Sequence, residues 1–185
     1  MHGYAAVRGS LPPAAIYSSD GKPLLSWRVA LLPYVEHKDL YDQFHLDEPW
    51  DSPHNLALLP QMPRMFEHFH GRATPEPHTT YYRVFAGPGA AFEGPAGVSL
   101  KDFKDGTSST FLIVEAGDAV PWTQPDELPF DPKGPLPALG GYFPEGFLVA
   151  LADGSVRMVS TKTPEEAIRG AIARSGGENV SLDVP

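Results

Sequence analysis

The chain is 185 residues long, with 21 Pro, 18 Gly and 42% hydrophobic residues. Proline and glycine make up about a fifth of it, against roughly 12% in average proteins; this rules out long bundles and coiled coils yet stays below the roughly 25–30% of low-complexity chains. The formal net charge of −9 argues against nucleic-acid partners and anionic membrane surfaces, and the lack of Cys excludes disulfides, thiolate catalysis and zinc–thiolate sites.

A chain of this size can bury a real core, and a single domain over residues 1–185 is expected. No apolar run approaches the roughly 20 residues of a membrane span. Met1-His2-Gly3-Tyr4 lacks the charged start and apolar stretch of a secretion signal.

Ser26 reads as the N-cap of a helix over Trp27 to Leu32, ended by Pro33. A second helix is expected over Lys38 to Phe44, where Leu40, Tyr41 and Phe44 share a face. Ser52-Pro53 pairs a cap with a first-position proline and starts a third short helix through Asn55 and Leu59. From Thr79 the pattern turns to strands: Thr79 to Phe85, then Thr107 to Glu115 after the Asp105-Gly106 turn. Gly87 to Gly97 reads as a turn region. Pro121 to Gly141 holds six prolines and reads as a long loop.

Phe147 to Ser160 reads as a β-hairpin about Asp153-Gly154. A two-residue type I′ turn would pair Leu151 with Val156 and Val149 with Met158, giving one wholly apolar face. Thr163-Pro164-Glu165-Glu166 combines a cap, a first-position proline and a capping-box Glu ahead of a closing helix, stopped by Gly176-Gly177. The fold class is α+β: short N-terminal helices, an antiparallel sheet, and one C-terminal helix.

No nucleophile elbow, phosphate loop, dinucleotide fingerprint or His-Glu-x-x-His motif is present, so no enzymatic activity is expected. His45, Asp47, Glu48, Asp51 and His54 supply cation-type ligands within ten residues, but at no zinc or calcium spacing; turn-capping around Trp50 is the expectation. His68 and His70 flank Phe69 and share a face if extended, two ligands without a third. Asp126, Glu127 and Asp131 read as solvated loop charges. Glu115, ending an apolar strand, is expected to be buried, with Arg28 or Arg157 as its partner.

Four segments resemble signatures of the prepilin-like domain family expanded in planctomycete-type bacteria, whose biochemical function is generally unknown: Leu25-Ser26-Trp27-Arg28-Val29-Ala30-Leu31-Leu32-Pro33-Tyr34, Trp50-Asp51-Ser52-Pro53-His54-Asn55, Asp105-Gly106-Thr107-Ser108-Ser109-Thr110 and Ala152-Asp153-Gly154-Ser155-Val156. Each is weak alone; four in order are specific, and the order fits roughly Met1 to Gly177. The resemblance implies a prepilin leader and a long apolar helix ahead of Met1, as in type IV pilins and type II secretion pseudopilins, with Gly9 to Pro13 as the loop after that helix. This chain would then be a pilin-like head, held at the cell envelope outside the cytoplasmic membrane, and its partners other pilin-like subunits or envelope proteins. A His that the family often carries ten residues before the Asp-Gly aspartate is Phe143 here. By analogy with pseudopilins, Asp126, Asp131 and Asp153 are candidate calcium ligands. The leading expectation is a non-enzymatic head domain acting in assembly or surface presentation. The alternative is a secreted binding module for a glycan, solute or divalent cation, using the aromatics Trp50, Trp122 and Tyr142.

Overall fold

The computed structural model describes residues 1–68 and 72–176. The chain opens with helix α1, His2–Arg8, which closes at Gly9. That residue adopts φ 82° and returns its N–H to the Ala5 carbonyl, a conformation that costs glycine little. Strands β1 (Ala15–Tyr17) and β2 (Pro23–Ser26) follow as an antiparallel pair. Helix α2, Trp27–Leu31, starts as expected: Ser26 is extended and its hydroxyl accepts from the Arg28 amide. Pro33 sits in a 3₁₀ turn over Leu32–Tyr34. Helix α3 is a single turn, Lys38–Tyr41, shorter than the apolar spacing suggested. Helix α4, Pro53–Leu56, is capped by Ser52, whose hydroxyl accepts from the Asn55 amide. The expected order of helices first and strands later is corrected by the β1–β2 pair; its strands are too short to show alternation.

The main sheet runs in the order β3 (Thr79–Arg83), β5 (Phe111–Pro121), β7 (Gly146–Leu151), β8 (Val156–Ser160), antiparallel throughout. Strand β5 begins four residues later than expected. The reason is local: Ser109 Oγ donates to the Asp105 carbonyl and Thr110 Oγ1 to the Gly106 carbonyl, so these residues close a turn. The proline-rich stretch after β5 is pinned rather than open. Strand β6, Leu128–Pro129, runs parallel to β4, Phe85–Ala86, and the Gly117 amide donates to the Ala138 carbonyl at 2.9 Å.

The connection between β7 and β8 corrects the expected register. The Gly154 amide donates to the Leu151 carbonyl and the Leu151 amide to the Ser155 carbonyl. Gly154 sits at φ 89°. The loop is therefore three residues, Ala152-Asp153-Gly154, with glycine in the left-handed position. Val149 pairs with Arg157 and Ala150 with Val156. A one-residue slip exchanges the faces of a strand: Val156, expected in the core, is 66% exposed, and Val159 is buried in its place.

Helix α5, Glu165–Ile172, closes the described chain. Its cap is not the one expected. Pro164 occupies the cap position, the capping box does not form, and Thr163 Oγ1 is buried without a partner. The helix stops at Ile172 because Ala173 turns extended and bridges to Ala90; Gly177 of the expected stop lies outside the described residues. Two apolar clusters carry the fold. The first gathers Leu25, Trp27, Val29, Phe66, Phe92 and Trp122, with Phe66 stacked on Trp122 at 5.8 Å. The second lies under the main sheet, where Val114, Phe147, Val149, Leu151 and Val159 meet Phe130 and Ile172. Among the described residues, no helix is long and apolar enough to cross a membrane.

Candidate functional site

The side chains singled out in the sequence are mostly committed to holding loops. Asn55, fully buried, is the hub of the 45–55 segment. Its Nδ2 donates to the carbonyls of His45, Glu48 and Pro49 at 2.9–3.2 Å, and its Oδ1 accepts from the His45 amide. That folds the segment so that His45 and His54 stack, ring centroids 3.5 Å apart and planes 2° from parallel. His45 Nδ1 meets Glu48 at 2.9 Å and His54 Nε2 meets the Gln43 carbonyl at 2.8 Å. Imidazole lone pairs lie in the ring plane, so parallel stacked rings cannot converge on one ion. Asp47 and Asp51 are exposed. Among the described residues no group of three or more His, Cys, Asp or Glu is placed to hold a metal.

The other candidates are dispersed. Asp126 pairs with Arg83 at 2.9 Å, Asp131 accepts from the Lys133 amide, and Asp153 accepts from the amide and hydroxyl of Ser155 in the β7–β8 loop. The Asp153 carboxyl is held below its ordinary value by those Ser155 bonds. Trp122 is buried in the first core cluster, its Nε1 donating to the Leu59 carbonyl. Trp50 packs half-buried against the same cluster. Tyr142 is 39% exposed and leans on His68 at 5.1 Å. These three aromatics make no common platform.

Two buried acids carry most of the electrostatics, and one of them, Glu127, was expected in solvent. Its side chain is 4% exposed and meets Arg28 Nη1 at 2.9 Å, while Oε2 accepts from the Val84 amide at 2.9 Å. Arg28 also donates from Nε and Nη2 to the Tyr82 carbonyl at 3.1 and 2.6 Å. Burial pushes the Glu127 carboxyl up, opposed by the Arg28 charge and the Val84 N–H, and burial pulls Arg28 down. Arg28, one of the two expected partners of Glu115, is therefore occupied elsewhere.

Glu115 is buried as expected, but its partners are His68 Nε2 at 3.1 Å, Arg72 Nη1 at 3.0 Å and the Leu148 amide at 3.3 Å. Neither expected arginine is involved. The Arg72 guanidinium lies 3.6 Å over the Tyr81 ring. Since a carboxylate accepts, His68 carries its proton on Nε2; its Nδ1 is buried without a partner. His68 also lines a cavity of about 370 Å³ with Arg72, His78 and Thr79. A carboxylate–imidazole pair is part of an acid–base relay, but among the described residues no Ser or Thr hydroxyl bonds to Nδ1. His70 lies outside the described residues. No short-range pattern links His68, Arg72 and Glu115, so long-range strand pairing alone reveals this cluster.

Glu115 marks one end of an open sheet face. The pairings Tyr82 with Glu115, Ile113 with Ala150 and Ala150 with Val156 put these side chains on the face opposite the second core cluster. His68 and Arg72 cover the Glu115 end. Beyond it, Tyr82, Ile113, Leu148, Ala150 and Val156, rimmed by Met65, line an almost wholly apolar groove of about 440 Å³. Met65 is 50% and Val156 66% exposed. Among the described residues nothing packs over these apolar side chains to bury Met65 or Val156.

The fold is thus an α+β assembly with an antiparallel four-stranded sheet, closed by a C-terminal helix, with its conspicuous exposed feature on one sheet face. Residues 1–68 match the model of a family described as a protein of unknown function (DUF1559), a match that ends before the four-stranded sheet begins. No curated protein and no solved structure matches the chain.

Proposed function

We propose that this chain is the non-enzymatic head of a pilin-like envelope protein, acting in assembly or surface presentation outside the cytoplasmic membrane. The observation that carries the reading is the apolar groove over Ile113, Leu148, Ala150 and Val156. Its occupant is the apolar helix that the resemblance places ahead of Met1. Helix α1 begins beside this sheet: His2 Nε2 lies 2.8 Å from the Ala152 carbonyl, in the loop that joins β7 to β8. The non-enzymatic part rests on Glu115, whose acceptors are engaged by His68, Arg72 and the Leu148 amide.

Residues 1–185 lack cysteine, so Val156→Cys introduces a single thiol among them as a reporter. In residues 1–185 alone that thiol reacts with maleimide as an exposed group. In a longer chain carrying an upstream apolar segment it reacts at least about tenfold more slowly. Equal rates in the two, or a coding sequence with no apolar stretch upstream of Met1, would overturn the reading.

A further inference from the structure

A cleft near the N-terminus has no part in that reading. It has a volume of about 480 Å³, within the roughly 300–1,000 Å³ of small-molecule sites. Helix α1 supplies Tyr4 and Arg8, and the segment after α2 supplies Tyr34 and Tyr41. Pro13, Pro33 and Pro95 form part of its wall; fixed proline φ angles keep such a wall preformed.

Some polar groups of the cleft have no partner among the described residues. Arg8 Nε donates to the Tyr34 hydroxyl at 3.1 Å, which orients the guanidinium; its two terminal nitrogens make no hydrogen bond to the described residues. Among the described residues Arg8 has no carboxylate partner. The Tyr34 hydrogen bond holds its pKa above the ordinary value. Lys38, the other cation on the rim, is engaged by Asp42. The hydroxyls of Tyr4 and Tyr41 make no hydrogen bond to the described residues. Tyr4 and Tyr34 pack on each other, centroids 5.0 Å apart and planes tilted by 59°, and both line the cleft.

We infer that this cleft binds an acidic saccharide, the tyrosine rings packing on the C–H face of a sugar and Arg8 forking onto a uronate-type carboxylate. The two free phenols serve the sugar hydroxyls as donors or acceptors. A planar guanidinium held at Nε offers the paired N–H groups that a carboxylate takes in bidentate fashion. A proline-rich peptide would use the rings and walls but would leave Arg8 without a partner; the unpaired guanidinium therefore decides for the acid.

The test is calorimetric titration of the whole chain with trigalacturonate, with maltotriose as the neutral sugar, acetate as the carboxylate alone, and a proline-rich decapeptide. Saturable binding of trigalacturonate is expected, with maltotriose and acetate each at least about tenfold weaker. Arg8 is exposed and outside both core clusters, so Arg8→Gln folds; it is expected to weaken trigalacturonate about tenfold and leave any maltotriose affinity unchanged. Tyr41→Phe, which keeps the ring and loses the hydroxyl, weakens trigalacturonate a few-fold. No saturable binding up to about 10 mM overturns the inference, as do equal affinities of Arg8→Gln and the natural chain, or the decapeptide binding more tightly than the sugar acid. Loss of the apolar-groove reading leaves this outcome untouched, because the variants lie in different cavities.

Discussion

Replacing Arg28 by Met removes the cation from the buried pair with Glu127. The Arg28 side chain is fully buried, and it donates to Glu127, twice to the Tyr82 carbonyl, and to Ser26. Met fills similar volume, so the loss is mainly electrostatic. The carboxylate keeps the Val84 amide on Oε2, and its Oε1 keeps only a long 3.4 Å contact from Ser26 Oγ. Breaking one side of such a pair costs about 3–5 kcal/mol. With a urea slope of about 2 kcal/mol/M, the midpoint falls by about 2 M, readable from the fluorescence of the buried Trp27 and Trp122.

The cost depends on pH, with a defined sign. Burial raises the folded-state carboxyl of Glu127 above its unfolded value. That group favours folding below its unfolded pKa and loses the contribution as pH climbs through the folded one. Without Arg28 the opposing charge is gone and the folded pKa rises further. The deficit of Arg28→Met is therefore smallest at about pH 4 and grows towards pH 8. The double variant Arg28→Met, Glu127→Leu regains about 2 kcal/mol and loses the pH dependence, while the Tyr82 carbonyl and Val84 amide stay unpaired. A deficit below about 1 kcal/mol, or one flat with pH, would refute a buried ionised pair.

Two further outcomes follow from side chains whose bonds are fully specified. Asn55→Ala leaves three carbonyls and one amide of the 45–55 segment without their partner; it is expected to destabilise by about 2–4 kcal/mol in urea unfolding and to separate the His45 and His54 ring resonances from their stacked shifts. Unchanged stability would mean that the segment holds its shape without Asn55. Thr163→Val replaces a buried hydroxyl that has no partner by a methyl of the same shape; a gain of up to about 1 kcal/mol is expected, read as a higher melting temperature, and a loss would show that Oγ1 is hydrogen-bonded after all.

What could be read in advance divides by the range of the interaction. Ser26 and Ser52 cap their helices as read, because the cap is a contact between neighbours two or three residues apart. Thr163 shows the limit of the same rule: a capping-box pattern is present, yet Pro164 takes the cap position and the hydroxyl is left over. The slip between β7 and β8 is a finer failure. Asp-Gly suits both two- and three-residue loops, and only the pairing of Ala150 with Val156 shows which one forms. Glu127 sits in a proline-rich stretch that looks solvated; it is buried because β6 runs alongside β4, a parallel pairing of two residues that leaves no sequence pattern.

The four segments behave alike when their atoms are followed. Ser26 caps α2 and contacts Arg28, Arg28 holds Glu127 and the Tyr82 carbonyl, Ser52 caps α4, and Asn55 ties three carbonyls. Ser109 and Thr110 close the turn before β5, and Asp153 and Ser155 bond to each other in the loop after β7. Most of these polar groups are engaged within the chain. The bonds made by these motif residues, including those within residues 1–68, hold caps, turns and loops. Two features draw mostly on residues beyond them: the apolar groove, to which the fourth motif gives only Val156, and the cleft where Arg8, without a carboxylate partner among the described residues, stands among three tyrosines. Pro33 and Tyr34 end one motif yet line that cleft, so a scaffold element and a ligand surface meet there, and substitutions at Arg8 and Tyr41 separate the two roles without disturbing the caps.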